Sequence, residues 1–268
     1  MTRPIPKSLF RADFRPLWRS SRRFIAAGMR LTGTGSGKGF HVAGGRACHK
    51  GSTCPHCGKR LTLLWDLGLR DPLIPDYVRK GFAPAKRLPL YICWQCVAAS
   101  YRVASDERMT CFDFDSHTDP LRQGETPFRD SPDELPRRKI DFERIPSTVD
   151  ALLSLENAVG LDALDLPARK AIDKYYRKRV KSNWDLPFSQ FGGQPIIYQP
   201  HRNVVCPNPK CPASRLQHPY GELEMPYLMK EMALIHFDHE PELAKHCFQL
   251  LYHVCGICFG IRVEYRCD

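Results

Sequence analysis

Eight of the chain's 12 cysteines fall into four close pairs, Cys54/Cys57, Cys93/Cys96, Cys206/Cys211 and Cys255/Cys258. Three of these are C-x-x-C, whereas chance at this cysteine frequency would place roughly half of one. Two residues between cysteines let one tight turn present both sulfurs to the same ion. In Cys54-Pro55-His56-Cys57-Gly58, the glycine supplies the open backbone angle that such a turn needs. The pair Cys93/Cys96 follows after 35 intervening residues, a zinc-ribbon separation. Cys206-Pro-Asn-Pro-Lys-Cys211 is wider but stiffened by two prolines, and Cys255-Gly-Ile-Cys258 is again a tight knuckle. The expectation is two zinc ions per chain, held by Cys54, Cys57, Cys93 and Cys96 and by Cys206, Cys211, Cys255 and Cys258. Cys48, Cys111, Cys247 and Cys267 are left without an assigned role.

Paired cysteines read as disulfides in a secreted chain and as metal ligands in a reducing compartment. The longest apolar run near the start, Phe24-Ile25-Ala26-Ala27, is too short for the core of a signal peptide. A cytoplasmic location follows as the expectation, with organelle targeting by residues 1–40 as the variant for a eukaryotic source. No run of 18 apolar residues offers a membrane span, so no membrane partner is expected.

The net charge of +11 is uneven. Residues 1–40 hold nine Lys or Arg against one acid, Asp13, which leaves only +3 for the remaining 228 residues. This segment reads as a basic, flexible tail that ends in a Gly-rich linker, Gly33–Gly39. A Pro-, Asp- and Ser-rich stretch, 105–136, reads as a second linker. Between them lie short runs rich in aromatic and β-branched residues: Leu61–Leu67, Leu88–Cys93, Ser100–Val103, Lys139–Phe142, Ile196–Gln199, Met232–Asp238, Phe248–Val254 and Ile261–Tyr265. These predict strands. Ser147–Val159 and Pro167–Val180 predict helices, the first with a Ser or Thr cap and the second with Pro in its first turn. The fold class is therefore α+β, mostly antiparallel sheet.

The two halves share an order of features. Gly44-Gly45, Cys54/Cys57, an apolar strand, Leu90-Tyr91-Ile92-Cys93-x-x-Cys96 and Arg102-Val103 match Gly192-Gly193, Cys206/Cys211, Met232–Asp238, Leu251-Tyr252-His253-Val254-Cys255-x-x-Cys258 and Arg262-Val263. Two pseudo-repeated lobes are predicted, 41–104 and 137–268, each with one zinc-ribbon-like site. Enzyme signatures are missing: His239-Glu240 and His246 do not make H-E-x-x-H, and no G-x-S-x-G occurs. Four cysteines also leave no open position on a metal for catalysis.

The segment Phe191-Gly192-Gly193-Gln194-Pro195-Ile196-Ile197-Tyr198-Gln199 resembles the Gly-Gly/Tyr-x-Pro-x-x-x-Gln signature of the YwqG-like family. The apolar run ending in Asp238 and the aromatic run Phe248–Tyr252 follow in the same order as there. The first half is similar to the programmed-cell-death-protein-2 group, in Cys54–Leu67 and Leu90–Cys96, although Arg46-Ala47 stand where that group has Pro and Trp. The resemblance implies a non-enzymatic protein-interaction module. The activity it implies is escort or assembly of a basic, ribosomal-type protein client. The alternative is an RNA-contacting zinc-ribbon protein that uses the basic N-terminal tail.

Overall fold

The structure is a computed structural model, and it describes residues 29–34, 40–74, 76–113, 131–144, 170, 189–192, 204–215, 229–236 and 248–267. Eleven strands and one short helix run in the order β1 (Met29–Thr34), β2 (His41–Ala43), β3 (Thr62–Gly68), α1 (Asp76–Gly81), β4 (Arg87–Ile92), β5 (Ala99–Val103), β6 (Met109–Cys111), β7 (Arg138–Arg144), β8 (Gln190–Phe191), β9 (Met229–His236), β10 (Phe248–Cys255) and β11 (Ile261–Cys267). They form a single sheet in the order β4-β3-β2-β7-β1-β8-β9-β10-β11-β5-β6. Every ladder in it is antiparallel. The described residues are thus mostly antiparallel sheet. Both predicted helices lie outside them, except for helical Lys170, as does Ile196–Gln199.

Seven of the eight predicted strands are present, with ends shifted by a residue or a few. Others sit where composition points elsewhere. Met29–Thr34 was expected as tail and linker, yet it is an inner strand between β7 and β8. Its glycine stands at a register shift, where Thr32 is skipped in the pairing with β7, so Gly33 shapes a bulge in the strand. Met109–Cys111 lies in the stretch expected as linker. It pairs with β5, and Lys50 bridges its leading residue Arg108 on the other side.

The strands of the two expected lobes share this one sheet. β2 pairs with β7 and β5 pairs with β11. From β4 to β10 the order reads alike from both ends when β1–β4 are matched to β7–β10. The local geometry matches too. Leu64 is skipped in the β3–β4 register and Met232 in the β9–β10 register. The Gly44 N–H bonds the Leu64 carbonyl at 2.8 Å, and the Gly192 N–H bonds the Met232 carbonyl at 2.7 Å. Both glycines hold a left-handed backbone, φ 66° and 69°. A side chain at Gly44 would place its Cβ 2.3 Å from the Pro136 carbonyl oxygen. A glycine therefore stands where each bulge needs it.

The largest fully buried side chains of the core are aromatic: Trp65, Tyr91, Tyr101, Tyr252, Phe82, Phe191 and Phe248. Trp65 meets Phe142 edge to face, with ring centroids 5.2 Å apart. Two buried tyrosine hydroxyls close the sheet on itself where a ladder is lacking. The Tyr91 N–H donates to the Tyr101 hydroxyl at 3.0 Å, and that hydroxyl donates to the Pro89 carbonyl at 2.9 Å. The Tyr252 hydroxyl donates to the Tyr91 carbonyl at 3.3 Å. At the opposite end, Lys50 covers β6, with Met109 N–H to Lys50 O at 3.0 Å and Lys50 N–H to Glu107 O at 2.7 Å. The terminal strands thus have partners for these outward backbone groups.

Tyr101→Phe removes one hydroxyl and orphans a buried N–H and a buried carbonyl together. The expected cost is about 2–6 kcal/mol, from roughly 1–3 kcal/mol for each of the two buried groups left unsatisfied. Urea unfolding should show a lower midpoint with an unchanged slope. A midpoint equal to the parent's would contradict closure through this hydroxyl.

Candidate metal centres

Each C-x-x-C pair is a turn at a strand end. Cys54/Cys57 precedes β3, Cys93/Cys96 joins β4 to β5, and Cys255/Cys258 joins β10 to β11. The three turns share one backbone pattern. The first cysteine's N–H donates to the carbonyl of Lys59 at 2.8 Å, of Ala98 at 3.1 Å and of Gly260 at 2.8 Å, respectively. The residue after the second cysteine is left-handed in all three: Gly58 at φ 73°, Val97 at 49° and Phe259 at 57°. Glycine takes this conformation freely. Val and Phe do not, since a bulky or β-branched side chain there is a backbone outlier. Only the Gly58 instance was readable from composition. Val97 and Phe259 carried no glycine to mark them.

The fourth pair is built differently. The Cys211 N–H bonds the Asn208 carbonyl at 2.9 Å, the Asn208 side chain accepts from the Lys210 N–H at 3.1 Å, and a short 3₁₀ turn, Pro212–Arg215, follows. The Gly260 N–H points at the Cys258 sulfur, 3.4 Å away. Such donors offset thiolate charge.

The four turns come together in twos, as the spacing predicts. Cys54, Cys57, Cys93 and Cys96 converge, as do Cys206, Cys211, Cys255 and Cys258, and within each group all four sulfurs lie within 4.8 Å of one another. Among them Cys57–Cys93 are 3.4 Å apart, Cys54–Cys96 3.8 Å, Cys206–Cys258 3.5 Å and Cys211–Cys255 3.8 Å. A disulfide needs about 2.05 Å. Four sulfurs arranged tetrahedrally at about 2.3 Å from one ion lie about 3.8 Å apart. The spacing fits a shared ion, and both groups could hold one. Three sulfurs of each group are on buried residues, with Cys57 and Cys258 half-exposed.

The electrostatics lead to the same fit. Hydrogen bonds from the Cys93 and Cys96 thiols pull Cys54 down to about 2, while Cys93 and Cys96 are pushed up because each holds the proton it gives to Cys54. In the second group, bonds from Cys206 and Cys255 pull Cys258 down to about 2. Cys206 is pushed up by its bonds to Cys255 and Cys258, and Cys211 chiefly by burial. The bond from Cys206 draws Cys255 down, but its bond to Cys258 and burial together push it up to about 12. Cys54 and Cys258 are thus each favoured as an anion by the thiols that bond to them. A cation in the middle replaces those protons and lets all four sulfurs ionise.

Both centres grip the shared sheet. Trp94, in the turn of the first group, meets Phe248 at the start of β10, edge to face at 6.2 Å. Phe259, in the turn of the second, meets Phe82 just after α1 at 5.4 Å. Gly81 makes room for it: a Cβ there would sit 1.9 Å from the Phe259 ring. The strands leaving the two turns also pair with each other, Ala99 with Val263, Ser100 with Arg262 and Tyr101 with Ile261.

Of the cysteines without an assigned role, Cys48 is exposed with its sulfur 3.6 Å from His49 Nδ1. Cys111 donates to the Gly51 carbonyl at 3.1 Å, and burial pushes its thiol up to about 12. Neither joins a quartet. Cys247 lies outside the described residues, and Cys267 pairs with Phe248 across the β10–β11 ladder. No helix among the described residues is long and apolar enough to cross a membrane. No protein-family model, curated protein or solved structure matches the chain.

Because the centres share one sheet, Cys57→Ser and Cys258→Ser should each lower a single common unfolding transition. Thermal unfolding followed by circular dichroism and by tryptophan emission checks this. Two separated transitions, one per half, would contradict the shared sheet.

Proposed function

We propose that the chain is a non-enzymatic binding module whose sheet is held by two structural zinc ions, one in each cysteine quartet. The observation that carries this reading is the pair of four-sulfur groups with tetrahedral spacing. All-thiolate tetrahedral sites suit zinc or iron. A filled shell of four protein ligands leaves no position for a substrate, which favours a structural role over a catalytic one. The paired strand order, the matched bulges at Leu64 and Met232, and the matched glycines support an origin by duplication of one zinc-bearing unit.

The client is a protein, and the escort role for a basic ribosomal-type partner rests on the resemblance to the programmed-cell-death-protein-2 group. The strand edges that would accept an added peptide strand are occupied at β4 by Tyr101 and Tyr252, and at β6 by Lys50. A client therefore docks on side chains or on segments outside the described residues, among them Gly193–Pro195. Cytoplasmic residence, in a compartment that keeps thiols reduced, belongs to the same reading.

Elemental analysis of protein purified without chelators should find two zinc ions per chain. One ion, none, or iron with its visible thiolate absorption would overturn the assignment. Affinity capture of the full chain from its source, read by mass spectrometry, should recover a basic ribosomal-type protein. Recovery of nucleic acid without one would overturn the escort role.

A further inference from the structure

The segment that carries Cys54 and Cys57 is rich in positive charge without matching acids. From Gly44 to Trp65 the chain holds no Asp or Glu. Arg46, Lys50, Lys59 and Arg60 are exposed there, and Arg108, also exposed, joins them through its bridge to Lys50. Among the described residues none of these five has an ion-pair partner. The exposed acid beside them is Glu107. Placing Lys50 opposite Arg108 sets like charges across a bridge, which costs stability unless an anion sits between them.

The backbone under these cations is fixed. Thr53 bridges Arg60, the Leu61 N–H bonds the Ser52 carbonyl at 2.9 Å, and the Ser52 hydroxyl bonds the His49 carbonyl at 2.8 Å. His49 is buried, with its Nδ1 at 2.8 Å from the Tyr91 hydroxyl. The Arg60 guanidinium is itself anchored on the Ala47 carbonyl at 2.5 Å. Cations on a held platform lose less freedom on binding than cations on a loose tail.

We propose that this surface binds the phosphodiester backbone of single-stranded RNA. An acidic protein fits it less well, because protein interfaces are centred on apolar or aromatic anchors. The sole exposed large apolar residue among those described, Val205, lies at the other quartet. A duplex fits less well too, since none of the five cations lies on a helix that could enter a major groove. Guanidinium planes from Arg46, Arg60 and Arg108 can stack on splayed bases while the lysines meet phosphates. This contact goes beyond the zinc-module reading and is separate from residues 1–28. The folded body near the first quartet is basic although the body as a whole is nearly neutral.

Fluorescence anisotropy of a labelled oligouridylate with the full metal-bound chain tests it. Lys59→Glu with Arg108→Glu should weaken binding at least about tenfold and lower the salt slope by about two. Arg46→Ala with Lys50→Ala should act in the same direction without adding negative charge. Lys210→Glu, exposed beside the second quartet, should leave affinity unchanged. Metal content measured on the same samples separates a lost centre from a lost contact. Parent-like binding by both double variants would overturn the proposal. So would equal displacement of the RNA by polyglutamate or by duplex DNA of matched charge.

Discussion

Four sulfurs within 4.8 Å of one another, three of them on buried residues, cannot all carry charge unless a cation sits among them. The fold brings cysteines together in this way twice. The first quartet ties the stretch before β3 to the β4–β5 turn, and the second ties the segment 204–215 to the β10–β11 turn. A left-handed Val97 and a left-handed Phe259 lie beside those turns. Such backbone persists only where its surroundings over-determine it. Packing of Trp94 and Phe259 supplies part of that determination, and an ion held by the four sulfurs of each quartet would supply the rest. Structural zinc contributes on the order of 10 kcal/mol in small zinc domains, against about 2–6 kcal/mol for two strained residues.

The sheet distributes this hold across the molecule. β5 and β11 leave the two turns and pair directly, so strain released at one centre reaches the other through three residue pairs. The tyrosine hydroxyls extend the link to β4. Chain order alone would suggest two lobes on two metals. Strand pairing makes them parts of one sheet, and neither half has all its ladder partners within itself.

The cysteine quartets were fully legible in the sequence, because ligand spacing is a local property and the pairing by twos follows from repeat order. Seven strands were legible for the same reason: aromatic and β-branched runs between turn residues announce themselves. The rest was not. β1 ends in a Gly-rich stretch, and its basic neighbours read as tail. β2 and β8 span only a few residues each, too few to show a period. Pairing between distant strands, such as β2 with β7, has no local signature. The strained turns at Val97 and Phe259 hide behind residues that composition never assigns to a left-handed backbone. The basic surface at the first quartet was masked by a charge count taken over the whole body, since Glu and Asp elsewhere cancel it.

X-ray absorption at the zinc edge of the purified full chain tests the central claim most directly. The account predicts a shell of four sulfurs at about 2.3 Å for both ions, with no nitrogen or oxygen neighbour in the first shell. A mixed shell, with a histidine nitrogen or a water oxygen in place of a sulfur, would contradict it.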